Sequence, residues 1–182
     1  MDRRIKKTQQ SIMKAFIDLL TEKGFDKVTI NDIAERANVN RGTVYLHYAD
    51  KFDLLDKCVE TYVGLLINHC ADTSDTTLNP NAFKRMLEYL ENNFAIYHLL
   101  LSNEGVGFFR KRLYATIAKI LMDVLGTENK QLSNSITIHF VASGFIGVLD
   151  WWISNSMPCD VQEITERLMF LLEPYTKRLD SN

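Results

Sequence analysis

Residues 28–55 read VTINDIAERANVNRGTVYLHYADKFDLL, and this stretch decides the fold. Thr29 can cap the start of a helix, because its side-chain oxygen can accept a hydrogen bond from a backbone N–H of the first turn. Asp32 stands three residues later, where a negative charge stabilises a helix N-terminus. The stretch therefore predicts a short helix over residues 30–37.

A turn of three residues follows, and its first and last residues are Asn38 and Asn40. Asn38 adopts a positive φ more easily than most residues other than glycine, and Asn40 can cap a second helix, predicted over residues 41–48. Two short helices joined by such a turn and held against a longer first helix are typical of a helix-turn-helix unit. Val44 and Tyr48 are expected to pack the core of that unit.

Longer helices are predicted on both sides of this unit. Apolar residues recur at helical steps over residues 3–23, and Gly24 follows where a residue in the left-handed conformation would end the helix. Asp50 can cap a fourth helix over about residues 51–70. We therefore predict an N-terminal domain over residues 1–51, with the fourth helix as its connector to the rest of the chain.

The remaining residues, 52–182, predict a second domain that is also helical. The polar segment 71–81, which contains Pro80, is the best linker candidate, and helical patterns resume after it. The 182 residues include only three prolines and eight glycines, so long stretches carry no helix breaker. The predicted fold class is all-α, with a three-helix N-terminal unit followed by a helical bundle.

Composition argues against several classes of function. No stretch approaches the roughly 18 uninterrupted apolar residues of a membrane span, so no membrane partner is expected. The cysteines Cys58, Cys70 and Cys159 are odd in number and far apart, as in a reduced cytoplasmic protein. The sequence has no glycine-rich phosphate loop and no Gly-x-Ser-x-Gly motif, and the neighbours His69 and Cys70 would point to different faces of a helix. We therefore expect no catalytic residues, no metal and no cofactor.

Charge is distributed unevenly along the chain. Residues 1–51 hold ten Lys and Arg against seven Asp and Glu, whereas the rest holds 11 against 16. A mildly basic N-terminal unit on an acidic body suits a protein that contacts DNA at one end.

Residues 28–55 strongly resemble the DNA-binding domain of the TetR/AcrR family of transcriptional regulators. Asn38 stands where that family most often has glycine, and asparagine tolerates the same backbone conformation. The matching features are a threonine before a short helix, Ile33-Ala34, the run Gly42-Thr43-Val44-Tyr45, the aromatic pair around His47-Tyr48, and Lys51 with Leu54-Leu55.

The second half of the chain resembles the family only in its layout of helices. Three of its segments are similar to a branch that includes regulators of dihydroxyacetone-kinase operons: residues 97–103, Phe108-Phe109 and Trp151-Trp152.

The resemblance implies a cytoplasmic homodimer that binds double-stranded operator DNA, expected to be palindromic, and responds to a small-molecule effector of unknown identity. The protein would be a sequence-specific transcriptional regulator, and repression relieved by the effector is the family's usual mode. The alternatives are a transcriptional activator of the same fold and a helical protein-interaction module that does not bind DNA.

The second helix of the helix-turn-helix would lie in the major groove and read base edges with its N-terminal residues. Arg41 can chelate the O6 and N7 acceptors of guanine, with a phosphate contact as the alternative. Leu46 can contact a thymine methyl group, and Gly42 lets the backbone come close to DNA. Thr43 can reach a base or a phosphate, and Asn31 an edge base. The full predicted set is Thr29, Asn31, Asn40, Arg41, Gly42, Thr43, Tyr45, Leu46, His47 and Lys51.

Phosphate contacts are expected around this helix. The resemblance implies that Tyr45 and His47 donate to phosphates, and a surface position without a role is the alternative for His47. A cation in the first turn of the fourth helix works against that helix's own dipole, so Lys51 is expected to contact a phosphate rather than stabilise the local fold. Thr29 is expected to bind a phosphate as well as cap its helix.

Two apolar stripes near the C-terminus suit self-association. Two such helices per subunit can form a four-helix interface, and small residues beside the first stripe permit close approach. Burial inside one subunit is the alternative, and part of each stripe must serve it. The predicted interface residues are Val141, Phe145, Val148, Leu149, Trp152, Ile164, Leu168 and Leu171.

Aromatic residues are frequent between the linker and Trp152. Pockets for small molecules are lined in this way, with a few polar groups for orientation, although such residues also form ordinary cores. The candidate effector-pocket residues are Phe94, Tyr97, His98, Phe108, Tyr114 and Trp151.

Overall fold

The computed structural model describes residues 3–70, 80–102, 107–125 and 132–176. Within these ranges the chain forms helices joined by turns and has no β-strand, so the prediction of an all-α fold is confirmed. The predicted linker lies outside the described residues except for Pro80 and Asn81, which begin a helix. The helices are α1 (Arg3–Lys27), α2 (Ile30–Arg36), α3 (Arg41–His47), α4 (Lys51–Cys70), α5 (Pro80–Asn92), α6 (Phe94–Ser102), α7 (Gly107–Leu125), α8 (Leu132–Ser154) and α9 (Val161–Thr176).

The first helix is interrupted where the sequence predicts its end. Gly24 has φ 74° and ψ 160°, a conformation that is cheap only for a residue without a Cβ. The chain turns there, and Phe25 enters the core, where its ring meets that of Phe16 edge-on with 6.3 Å between ring centres. This turn leads directly into α2.

Thr29 and Asp32 form the predicted cap of α2. The Thr29 hydroxyl oxygen accepts a hydrogen bond from the Asp32 backbone N–H at 3.2 Å, and the Asp32 carboxylate accepts one from the Thr29 N–H at 2.8 Å. The Lys23 ammonium lies 2.7 Å from the same carboxylate. Hydrogen bonds from Lys23 and then from Thr29 lower the pKa of Asp32 to about 2, so the cap is intact at neutral pH.

The turn between α2 and α3 has the backbone that its asparagines predict. Asn38 has a φ of 53°, and the Val39 N–H donates to the Ala34 carbonyl at 3.0 Å. Asn40 occupies the N-cap position of α3. The prediction that its side chain caps the helix is wrong, because that side chain makes no capping hydrogen bond.

Val44 and Tyr48 hold α3 against the preceding helices, and both are buried as predicted. Burial raises the pKa of Tyr48 to about 12. Within the described part of the chain the Tyr48 hydroxyl has no hydrogen-bond partner, so this residue stabilises the fold by the packing of its ring. Helices α1–α3 are called the head below.

Helices α5–α9 form the body, and α4 connects it to the head. α4 packs against α5 and α7, α8 packs against α6 and α7, and α9 packs against α5. Trp152 is fully buried, and its Nε1–H donates to the Cys159 carbonyl at 2.9 Å, which fixes the turn between α8 and α9. The buried side chains of body, connector and head are continuous, so a boundary at residue 51 stays a prediction.

α8 is an apolar helix. Its segment Ser135–Ser154 has a mean hydropathy of 1.5 and could cross a membrane by length and composition alone. However, 44% of that segment is buried against other parts of the chain, as is usual for a core helix of a folded domain.

Lys51 ties the start of α4 to the end of α1. Its ammonium donates to the backbone carbonyls of Phe25 at 3.1 Å, Asp26 at 3.2 Å and Val28 at 3.3 Å. The Nζ atom also lies 4.6 Å from the centre of the Phe25 ring. The prediction that Lys51 has no local role is wrong, because its acceptors lie at the end of another helix and not in α4. The cation stabilises the carbonyl end of a different helix.

We predict that Lys51→Met lowers the free energy of unfolding by about 2 kcal/mol, since three carbonyls lose a charged donor. Urea unfolding at one fixed protein concentration measures the change. Lys57→Met is the matched control, because Lys57 lies on the same helix and its ammonium pairs with the exposed Glu60 at 3.0 Å. Equal midpoints for the two variants would show that the Lys51 bonds contribute nothing.

Candidate nucleic-acid interface

α3 divides its seven residues between the core and the solvent. Val44 faces inward, whereas Arg41, Gly42 and Tyr45 are exposed. Leu46 is 83% exposed, although it is apolar and lies within the seven-residue helix α3. A helix that buries one face and presents a cation, an aromatic ring and an aliphatic side chain on the other can enter a DNA groove.

Arg41 and Tyr45 lie one turn apart and contact each other. The Arg41 Nη2 donates to the Tyr45 hydroxyl at 3.1 Å, and the guanidinium carbon lies 5.3 Å from the ring centre. A guanidinium has five N–H donors, so most of the Arg41 donors remain available to a ligand. The contact limits the positions of both side chains before any ligand arrives.

Ion pairs neutralise two other cations of the head, Arg36 and Lys23. Arg36 pairs with Glu22 through two bonds of 2.7 Å, and its guanidinium holds the pKa of Glu22 below its usual range. Lys23 pairs with Asp32. Among the described residues Arg41 has no acidic partner, so its charge is free to meet a phosphate or a base.

Four other predicted DNA contacts keep free polar atoms at this surface. Asn31 and Asn40 are exposed, and the Asn40 amide is unused because it does not cap α3. Thr43 and His47 are half-buried, and neither side chain hydrogen-bonds to another described residue. Their roles in contacting DNA stay predictions.

Two predicted phosphate ligands are already engaged within the protein. The Thr29 hydroxyl donates its single proton to Asp32 Oδ2 at 2.7 Å, so it caps as predicted but has no proton left for a phosphate oxygen. The three ammonium protons of Lys51 are likewise matched by three carbonyls. In this arrangement both side chains have structural roles, and their contacts with phosphate stay predictions.

The residues predicted for the dimer interface also need correction. Six of the eight are buried inside a single chain, where they offer no surface to a second subunit, and Val148 is half-buried. Leu171 alone among the eight is exposed. α8 carries apolar residues on more than one face. The spacing of residues in the sequence therefore could not show which face packs into the core of the same chain, and the residues predicted for the interface lie on that buried face. The six buried residues are Val141, Phe145, Leu149, Trp152, Ile164 and Leu168.

A different apolar surface on α8 and α9 remains exposed. Phe140 is 63% exposed, and its ring lies 6.0 Å from that of Tyr175, which places the two helices side by side there. Gly144 and Gly147 lie at helical steps from Phe140 and are exposed. We call this surface the α8–α9 stripe and define it by Ile136, Phe140, Trp151, Phe170 and Leu171.

The described residues among those predicted for an effector pocket lie in different surroundings, and their role as a pocket stays a prediction. Tyr97 is fully buried in the core, whereas Trp151 is 52% exposed on the α8–α9 stripe. Tyr114 hydrogen-bonds to His139, and Phe94 packs on His98 with 5.2 Å between ring centres. The side chain of Phe108 lies outside the described part of the structure.

The described part of the structure forms a cavity of about 590 Å³ between α1, α4 and α6. None of the six predicted residues lines it. Its walls come from helices that are far apart in the chain, so no sequence spacing could reveal it. Its apolar lining includes Met13, Ile17, Tyr62, Leu65 and Ile96.

Comparison with known proteins gives relatives for both halves of the chain. The HTH-type transcriptional regulator YxbF of Bacillus subtilis is 31% identical over 159 residues, which span 82% of this chain and 40% of YxbF. The dhaKLM operon transcriptional activator DhaS of Lactococcus lactis is 32% identical over 118 residues, 64% of this chain and 62% of DhaS. The chain thus spans less than two thirds of the length of these relatives.

A solved structure extends the similarity to nearly the whole chain. A TetR transcriptional regulator from Streptococcus agalactiae superposes with a TM-score of 0.68 at 28% identity, covering 94% of this chain and 96% of the other. Residues 12–58 match the family of bacterial regulatory proteins of the tetR type, and residues 79–174 match a C-terminal region of transcriptional regulators. The chain therefore belongs to the TetR family of bacterial transcriptional regulators.

Proposed function

We propose that the protein is a sequence-specific DNA-binding transcriptional regulator whose recognition helix is α3. The observation that carries this proposal is the exposed face of α3, which presents Leu46 and an arginine that has no acidic partner among the described residues. A module that only associates with proteins does not need this combination on so short a helix. Cytoplasmic location follows from the proposal, because a bacterial regulator meets its operator there.

In the proposed complex, α3 lies in the major groove. Arg41 reads guanine through O6 and N7, and Leu46 packs on a thymine methyl group. Gly42 carries no side chain on the exposed face and allows the backbone to approach the DNA. Tyr45 and His47 donate to phosphates and set the position of the helix without reading sequence.

We further propose that two copies pair through the α8–α9 stripe. Large aromatic side chains exposed on two adjacent helices are costly to leave in water, and the exposed glycines permit close helix approach. A twofold dimer presents two copies of α3 and therefore fits a palindromic operator. This surface replaces the buried one that the sequence predicted.

Repression relieved by a small-molecule effector is the proposed mode of action. The similarity to DhaS, which is named as an activator, makes activation the second candidate. A reporter gene placed behind the selected operator separates the two, because expression falls with a repressor and rises with an activator. Either mode requires the effector to bind the DNA-bound and free conformations with different affinity.

Selection of DNA from a random pool tests the function directly. We expect an inverted repeat whose half-sites are separated by one helical turn, about 34 Å, or a multiple of it. Affinity for this site should fall as salt rises, since bound phosphates release counterions. Equal affinity for the selected and random sequences, or no binding at low salt, would favour an interaction module instead.

Arg41→Ala tests the base-reading residue. We expect specific binding to weaken by about 1–3 kcal/mol and preference to relax at one position of each half-site. Arg36→Ala is the control, because that arginine is paired with Glu22 and should leave base preference unchanged. An equal loss on selected and random DNA would reduce Arg41 to a phosphate contact.

Phe140→Glu tests the dimer surface. An unpaired charge in an apolar interface is costly, so sedimentation at micromolar concentration should find a folded monomer. Ile5→Glu, an exposed apolar position at the start of α1, should leave the dimer intact. Phe145→Glu should instead unfold the chain, because Phe145 is buried within it. A dimeric Phe140→Glu protein would place the interface elsewhere.

A further inference from the structure

The cavity between α1, α4 and α6 has the size of a small-molecule site. Its volume of about 590 Å³ falls within the usual range for such sites, and one side is open to solvent. Met13 and Ile17 on α1, Leu65 on α4 and Ile96 on α6 supply apolar walls. A ligand there would touch the head, the connector and the body at once.

Two hydroxyl groups around the cavity already donate to acceptors within the protein. The Thr21 hydroxyl donates to the Ile17 carbonyl at 3.0 Å, and the Thr61 hydroxyl donates to the Lys57 carbonyl at 2.8 Å. Both bonds connect a side chain to its own helix, one turn earlier. These hydroxyls can still accept, but they give a ligand no strong charge to recognise.

Asp18 is different, because its carboxylate is half-buried in the cavity wall without a partner. Within the described residues Asp18 makes no hydrogen bond and no ion pair. Lys14 lies one turn earlier on the same helix, but it is exposed and does not pair with Asp18. Arg36 lies within electrostatic reach of Asp18, but its guanidinium is bonded to Glu22. A half-buried carboxylate that no cation contacts directly favours a cationic ligand.

Tyr62 provides an aromatic surface in the same cavity. Burial raises the pKa of Tyr62, and the charges of Cys58, Tyr89 and Asp18 add to the effect, so Asp18 lies within electrostatic reach of this ring. An aromatic face together with a carboxylate attracts organic cations, because the ring quadrupole and the negative charge act in the same direction. Met13 adds a flexible side chain that adapts to ligand shape.

We propose that this cavity binds an amphipathic organic cation, with its charged head at Asp18 and Tyr62 and its apolar tail against Met13, Ile17 and Leu65. The cavity lining includes one acid, Asp18, and one base, Lys14. Asp18 is half-buried and Lys14 is exposed, so the negative charge lies deeper in the cavity and favours a positively charged ligand. An amphipathic anion held by Lys14 is the opposite outcome, which the test below can find.

Because of the position of the cavity, a ligand bound there could change the affinity of the head for DNA. α1 belongs to the head, and α4 connects the head to the body. The Tyr97 hydroxyl on α6 donates to the Tyr62 carbonyl on α4 at 2.9 Å, so the cavity wall is fixed to the buried centre of the body. This consequence rests on the proposed regulatory function, whereas ligand binding itself does not.

Calorimetric titration of the full chain with three octyl compounds tests the proposal. Octyltrimethylammonium, octanoate and 1-octanol share a tail and differ in the charge of the head. We expect octyltrimethylammonium to bind most tightly, and Asp18→Asn to weaken it at least about fivefold while leaving 1-octanol unchanged. Lys14→Gln, one turn away, is the matched control and should not weaken the cation.

A second variant locates the site. Ala95 is an exposed α6 residue at the cavity, so Ala95→Phe should fill the space without disturbing the core, and should reduce binding of all three compounds. Thermal melting confirms that each variant is folded. Preference for octanoate with loss on Lys14→Gln, or cation binding unchanged by both Asp18→Asn and Ala95→Phe, would overturn the proposal.

Operator binding measured in the same samples separates this site from the proposed function. If the cation binds through Asp18 but operator affinity is unchanged, the site stands and its gating of DNA fails. If no sequence-specific DNA binding exists, the proposed function fails and the calorimetric result still decides the site. Where both hold, DNA must weaken cation binding by the same factor as the cation weakens DNA binding.

Discussion

The three-residue turn before α3 is the constraint on which the rest of the head depends. Asn38 takes a positive φ of 53°, and the next residue closes the turn by donating to the Ala34 carbonyl. The chain can then bury Val44 and Tyr48 only if the opposite face of α3 points to solvent. The proposed DNA-reading surface is thus a consequence of how a seven-residue helix is anchored.

Hydrogen bonds at two places on α4 also link the head to the body. Lys51 fixes the start of α4 to the carbonyl end of α1, and Tyr97 fixes the middle of α4 to α6. Between these two attachments lies the cavity that reaches Asp18. These bonds connect α6 through α4 to the end of α1 in the head. An effector could use them only if it binds two arrangements of these helices with different affinity.

Local features of the head could be predicted from sequence, because each depends on residues a few positions apart. Gly24, the Thr29–Asp32 cap and Asn38 are of this kind. Lys51 could not be assigned correctly, since its acceptors lie more than twenty residues away in the chain. The face of α8 that packs inward and the walls of the cavity likewise depend on helices brought together only by folding.

The most direct test of the central claim is a titration of isotope-labelled protein with the selected operator, followed by the backbone amide signals of the head. The account predicts that the largest shifts fall on residues 40–47, with smaller ones at Asn31. The amides of residues 51–55 should shift little, because Lys51 is engaged within the protein. Unchanged α3 signals at saturating operator would contradict the claim that this helix reads DNA.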